Sequence, residues 1–271
     1  MSADAPVSAL SADPRRWREV AQDGRFEDAA RLRVIAVGEG AETDSEKDRG
    51  AIRALADAQG LLREKAWSRA QRVVAEVDAK PDWIDWSEVE NDLVTLAAAG
   101  TALDRRDVDE ALEALAAFEG REDGPFEAER LTQLGTARIL DDDADAARAC
   151  FERALELDPR HPRAMVNLGN VALEDGRVDD AIAQYEAALR IDDAFANAHH
   201  NLGVAYRRKG QVGKSVQALR RAQRVERSHD TRAAREEVRG LGQRLKGRTG
   251  RWLLWGAAAA VVIWILLERG S

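Results

Sequence analysis

Shifted against itself by 34 residues, the chain aligns three consecutive segments without a gap, 128–161, 162–195 and 196–229. A Leu-Gly pair recurs as Leu134-Gly135, Leu168-Gly169 and Leu202-Gly203. A small residue recurs as Ala147, Ala181 and Ser215, a bulky one as Phe151, Tyr185 and Leu219, and a second small one as Ala154, Ala188 and Ala222. A fixed period of this length marks units that cannot bury their apolar face alone and gain a core only by stacking on their neighbours. Within each unit the apolar residues return every three to four positions, so the unit is made of helices. Gly176 and Gly210 fall between the two apolar stretches, where a tight turn favours glycine. Only 5% of residues are aromatic and Ala, Leu, Arg, Glu and Asp dominate, a helical rather than a strand vocabulary.

These residues at these spacings resemble the tetratricopeptide repeat, a helix-turn-helix unit, over roughly residues 128–229. The resemblance implies an all-α fold, a right-handed α-solenoid of antiparallel helical hairpins. Asp158-Pro159 ends a unit in the family manner, whereas Asp192-Asp193 and Glu226-Arg227 depart from it, and Leu131, Met165 and His199 stand where the family often has Trp. In this family the first helix of each hairpin lines a concave groove that holds a peptide. Carried over by register, that face comprises Glu129, Thr132, Thr136, Arg163, Val166, Asn170, Asn197, His200, Asn201, Val204 and Arg208. Some relatives clamp a C-terminal carboxylate with two Asn and several basic residues. Asn170, Asn201 and Arg235 match part of that clamp, but Val166 and Thr231 occupy positions where it needs lysines.

A fainter version of the same word occupies the N-terminal half. GRFEDAA (24–30), KAWSRAQ (65–71) and RDVDEAL (106–112) each line up with GRVDDAI (176–182), placing Ala29, Ala70 and Ala111 in register with Ala147. The resulting expectation is a flexible N-terminus over 1–12, divergent hairpins over 13–118 and a linker over 119–127, then the three repeats. Ser87 with Glu90 reads as a capping box opening a helix that runs to about Leu103. Asp230 reads as the cap of a separate helix, 230–246, covering the apolar end of the stack.

Charge divides the chain. Residues 207–251 carry 15 basic against four acidic side chains, while the chain as a whole has a net charge of -8. This basic stretch, whose last basic residues are Arg244, Lys246, Arg248 and Arg251 and whose final part, 247–251, forms a neck, leads into WLLWGAAAAVVIWILL, 252–267, which contains no charged residue. As a helix the segment spans about 24 Å at about 1.5 Å per residue. The hydrocarbon core is about 30 Å thick, a shortfall that snorkelling arginines and modest bilayer thinning can absorb. Trp252, Trp255 and Trp264 sit near its ends, where indoles favour the headgroup level. The expectation is one C-terminal transmembrane helix, a single-pass tail anchor. The positive flank holds the body in the cytoplasm, and 35 Arg against six Lys points to a GC-rich bacterial genome and so to the bacterial inner membrane.

Competing chemistries fit poorly. GQVGKS (210–215) lacks the first glycine of a phosphate loop, which would fall at Arg208, and Ser215 belongs to the repeat register. His161, His199, His200 and His229 show no metal-ligand spacing, and Cys150, the single cysteine, excludes an intrachain disulfide and has no base beside it. Trp83 and Trp86 in KPDWIDW have no role in the repeat pattern. The sequence therefore reads as a non-enzymatic scaffold without cofactor or metal. Its expected partners are proteins or peptides and the membrane, not nucleic acid or a small-molecule substrate. The alternatives are a subunit whose apolar tail contacts a larger complex, and a co-chaperone binding chaperone tails.

Overall fold

A computed structural model describes residues 17–22, 25–26, 28–30, 46–118 and 124–246. All regular structure among them is helical: α1 Trp17–Gln22, α2 Glu46–Arg63, α3 Trp67–Ala75, α4 Trp86–Asp104, α5 Val108–Ala116, α6 Glu127–Leu140, α7 Ala144–Leu157, α8 Pro162–Glu174, α9 Val178–Ile191, α10 Ala196–Arg208 and α11 Val212–Lys246. Residues 26 and 28–30, after α1, are helical as well. Helices α2 to α11 pack in successive antiparallel pairs, and each pair packs on the next.

One turn closes five of these pairs. Lys65, Arg106, Asp142, Gly176 and Gly210 all have left-handed backbone, at φ of 58, 60, 60, 79 and 79°. Each lies five residues before the small residue of the repeat, Ala70, Ala111, Ala147, Ala181 or Ser215, and all five small residues are buried. The N–H groups of Ala66, Asp107, Asp143, Arg177 and Gln211 donate to the carbonyls five residues back, at 2.8–2.9 Å. This is the helix-ending pattern in which one left-handed residue lets the chain satisfy the last free carbonyls of the first helix. The turn unites both halves of the chain, although only two copies use glycine. A left-handed conformation costs a non-glycine residue about 1–2 kcal/mol. Arg106→Gly and Asp142→Gly are therefore expected to stabilise the fold by about 0.5–1 kcal/mol, the looser unfolded chain offsetting part of the gain. Gly176→Ala should destabilise it by a similar amount. Urea denaturation of the three variants checks the signs, and a loss of stability in the first two would contradict this account of the turn.

Within each pair of the C-terminal half a glycine on the first helix admits a bulky side chain from the second. A Cβ on Gly135 would lie 2.5 Å from the Phe151 ring, one on Gly169 2.6 Å from Tyr185 and one on Gly203 2.7 Å from Leu219. In the N-terminal half Gly100 receives Trp67, from the preceding pair, in the same manner at 2.5 Å. The apolar residues collect in two main cores. One holds Phe26, Ile52, Leu55, Leu93, Leu96, Leu115 and Phe126, joining the N-terminal pairs to the start of α6, with the Phe26 and Phe126 rings 6.1 Å apart. The other holds Val166, Ile182, Tyr185, Leu202 and Tyr206, from α8 to α11.

Three local features differ from the sequence expectation. Helix α4 is capped by Asp85 rather than Ser87: its carboxylate accepts from the Ser87 and Glu88 N–H groups and from the Ser87 hydroxyl, at 2.9, 3.3 and 2.6 Å. Those hydrogen bonds, the Ser87 hydroxyl's foremost, hold the Asp85 carboxyl below its ordinary value. The two tryptophans are structural. Trp86 is buried and donates to the Pro81 carbonyl at 3.0 Å, and the Trp83 indole donates to buried Asp48 at 2.8 Å. Finally, no separate helix begins at Asp230, because α11 runs unbroken from Val212 to Lys246. Residues 228–235, SHDTRAAR, contain neither Gly nor Pro, so nothing there breaks the helix. Helix α11 thus does not fold back over the stack, and Val212 and Val216 remain 64% and 42% exposed. Their counterparts 34 residues earlier, Val178 and Ile182, pack into the C-terminal core.

Among the described residues no helix is long and apolar enough to cross a membrane. The apolar stretch 252–267, the neck 247–251 and the N-terminal 1–12 lie outside the described residues.

Candidate partner-binding face

The first helices of the last three pairs, α6, α8 and α10, run alongside one another, and their sequence-predicted face residues fall into two zones. The N-terminal zone is closed. Glu129 is buried, and its carboxylate receives Arg163 Nη1 at 2.9 Å, His161 Nε2 at 3.1 Å and Gln133 Nε2 at 2.9 Å. His161, also buried, caps α8 by accepting the Ala164 N–H on Nδ1 at 3.2 Å, which leaves Nε2 to donate to Glu129. Burial pushes the Glu129 carboxyl up, but the Arg163 guanidinium and the His161 and Gln133 hydrogen bonds outweigh it and hold the group below its ordinary value.

Arg163 also donates to the Leu62 carbonyl at 3.2 Å and lies over the Trp67 ring at 6.0 Å. Thr132 is fully buried, its hydroxyl donating to the Ala128 carbonyl at 2.7 Å, and Val166 is buried in the C-terminal core. Glu129, Thr132 and Val166 are therefore corrected from contact residues to structural ones. The helical register placed them correctly along α6 and α8 but could not show that α2 and α3 close this end of the face. Arg163 belongs to the same closure.

The C-terminal zone is open. Asn170 Oδ1 accepts from the Tyr185 hydroxyl at 2.7 Å and from Asn201 Nδ2 at 2.8 Å. Burial pushes the Tyr185 phenol well up, so it remains a protonated donor. One pair earlier, Asn167 Nδ2 donates to the half-buried Thr136 hydroxyl at 3.2 Å. Thr136–Asn167 and Asn170–Asn201 are the same contact repeated after 34 residues, a ladder running across all three first helices. Asn167 was missing from the sequence-predicted set, although its register with Asn201 was there to be read. Asn197 and His200 are exposed, Asn201 and Val204 half-buried, and Arg208 is exposed with Nη1 donating to the Leu173 carbonyl at 2.7 Å. Asn170 Nδ2 and Asn201 Oδ1 have no hydrogen-bond partner among the described residues, leaving an adjacent donor and acceptor beside an apolar Val204.

Arg235, Arg244 and Lys246 lie on the backbone of α11, but their side chains are outside the described ones; Arg248 and Arg251 are outside the described residues altogether. Among the described residues no group of three or more His, Cys, Asp or Glu side chains is arranged to hold a metal ion.

Residues 132–194 match the tetratricopeptide repeat, and residues 196–229 match it again. The segment 132–229 thus carries tetratricopeptide repeats. No curated protein matches the chain. Among solved structures it is similar to a crystal structure of MamA, at 24% identity over 64% of this chain and 96% of that one, with a TM-score of 0.42. It is also similar to YrrB, described as a TPR protein with an unusual peptide-binding site, at 20% identity over 75% and 97% of the two chains, with a TM-score of 0.41.

Proposed function

We propose that the chain is a membrane-anchored scaffold that binds protein partners on the open part of its first-helix face and holds them beside the bilayer, where complexes assemble. The observation that carries the binding half is the Asn170–Asn201 pair, which fixes two side-chain amides by the Tyr185 hydroxyl yet leaves one donor and one acceptor uncommitted. An amide pair of this kind matches the donor and acceptor of a peptide unit. Val204 offers apolar contact beside it, and Arg208 gives the surroundings a cationic bias.

The membrane half rests on sequence. The uncharged segment 252–267 follows a stretch with 15 basic and four acidic side chains, and such a flank keeps the body on the cytoplasmic side, here of a bacterial inner membrane. Each basic residue near an anionic surface adds about 1 kcal/mol of attraction. Anchoring then raises the effective concentration of a bound partner without any chemistry.

Proximity labelling from the native locus, with carbonate extraction of the same membranes, tests both halves. The full chain should stay in the carbonate-resistant fraction, and Asn170→Ala with Asn201→Ala should lose specific neighbours at unchanged abundance. Release by carbonate would refute the anchor, and an unchanged neighbour set would refute the face.

A further inference from the structure

Helix α11 is 35 residues long, and α10, on which it packs, is 13. At about 1.5 Å per residue that is about 52 Å against about 20 Å, so α10 can cover only the first part of α11. The residues that α11 turns into the stack are Ser215, Ala218 and Ala222, all buried, and half-buried Val225. Beyond the stack a second apolar series begins, Ala234, Val238, Leu241 and Leu245, at spacings of four, three and four. Those spacings set the four residues on one side of the helix. With about 100° of turn per residue, that side lies roughly 150° around α11 from the first series, so it does not extend the contact with α10. Its spacing is that of the a and d positions of a two-stranded coil. Thr231 occupies the a position before it, and Arg227 and Arg224 the d and a positions before that.

From this we infer that the side of α11 from Thr231 to Leu245 pairs with the same side of a second copy of the chain, parallel and in register. The pairing rests on the C-terminal anchor, because two copies that enter one membrane at the same end run parallel. A seam of two heptads is short for a coil in dilute solution, and confinement to one membrane raises the effective concentration of the second copy. Charge fits this occupant. In a parallel pair Asp230, at a g position, comes opposite Arg235 of the second copy, at an e position, and the two-fold axis repeats the contact. Glu237 comes opposite Gly242 of the second copy, so no like charges oppose one another along these flanks. Before Thr231, by contrast, Arg224 and Arg227 of both copies would meet across the seam. The pair therefore ends there and the two stacks diverge. A paired chain carries two first-helix faces, so a partner with two docking segments gains avidity.

Cysteine crosslinking of the full chain in its own cells tests the pair, on a Cys150→Ser background. Under mild oxidation with copper phenanthroline, Val238→Cys, Leu241→Cys and Leu245→Cys should each give a disulfide-linked species of twice the chain's mass. Glu236→Cys and Gln243→Cys, on the opposite side of the helix, should stay at background. Asp230→Arg should reduce the crosslink at Leu241→Cys, and adding Arg235→Glu should restore it. Equal yields at all five positions, the result of random collision, would overturn the pairing. So would the absence of dimers at 238, 241 and 245, the result of lipid or another protein covering the stripe. Carbonate extraction of the same cells separates the two readings. Dimers of a chain that carbonate releases would refute the anchor alone, and a carbonate-resistant chain without dimers would refute the pair alone.

Discussion

Replacing Glu129 by alanine is expected to destabilise the chain by about 3–5 kcal/mol, the usual cost of leaving a buried ionic partner uncompensated. Three donors converge on this one carboxylate, and Arg163 is itself largely enclosed between α2, α3 and α6. Glu129→Gln keeps the shape and one acceptor oxygen but loses the charge, and should cost less, about 1–3 kcal/mol. The same site predicts acid sensitivity. Because folding holds the Glu129 carboxyl below its ordinary value, its contribution is fully present above the unfolded glutamate value of about 4.3 and is lost as pH falls through the folded value. Urea midpoints of the parent chain and Glu129→Gln should keep a constant gap from pH 7 down to the unfolded value and draw together only as the pH falls below it. A gap that does not narrow below that value would mean that folding does not hold the carboxyl below its ordinary value.

Tyr185→Ala should be comparably severe, at about 3–5 kcal/mol, because it empties a fully buried ring site. It also strips Asn170 of the hydroxyl that fixes its amide. The reverse error is instructive. Gly169→Ala places a methyl 2.6 Å from the Tyr185 ring and should cost about 1–3 kcal/mol through overpacking. Leu219 fills the matching position opposite Gly203, so leucine is a tolerated partner in this register. Gly169→Ala should therefore cost less in a Tyr185→Leu background than alone. Thermal melts of the two singles and the double close that cycle, and strict additivity would show that ring and glycine are not in direct contact.

Much of this architecture is written in short-range spacing. The 34-residue register gives the Gly135–Phe151 and Gly169–Tyr185 contacts directly, since both partners lie in one hairpin and the turn fixes their meeting. The alanines at 29, 70 and 111 mark buried positions for the same reason. What the spacing does not carry is the superhelical path. Arg63 meets Asp158 across 95 residues, and no local pattern encodes that meeting. Glu129 and Thr132 consequently read as surface residues although they are enclosed. The end of α11 was misread for a different reason: Asp230 is a good helix cap, but a good cap does not start a helix where the preceding residues already propagate one. Asn167 is legible by the same register, since Asn201 stands one period away.

Partners are expected to dock on the open zone of the first-helix face rather than on the outer helices. A photo-crosslinking amino acid placed at Asn197 or His200, in the full chain in its own cell, tests this, with Glu152 and Ala183 on the second helices as controls. Discrete protein adducts from 197 and 200, absent at 152 and 183 and diminished by Asn170→Ala with Asn201→Ala, are the predicted result. Adducts formed only from 152 or 183 would contradict it.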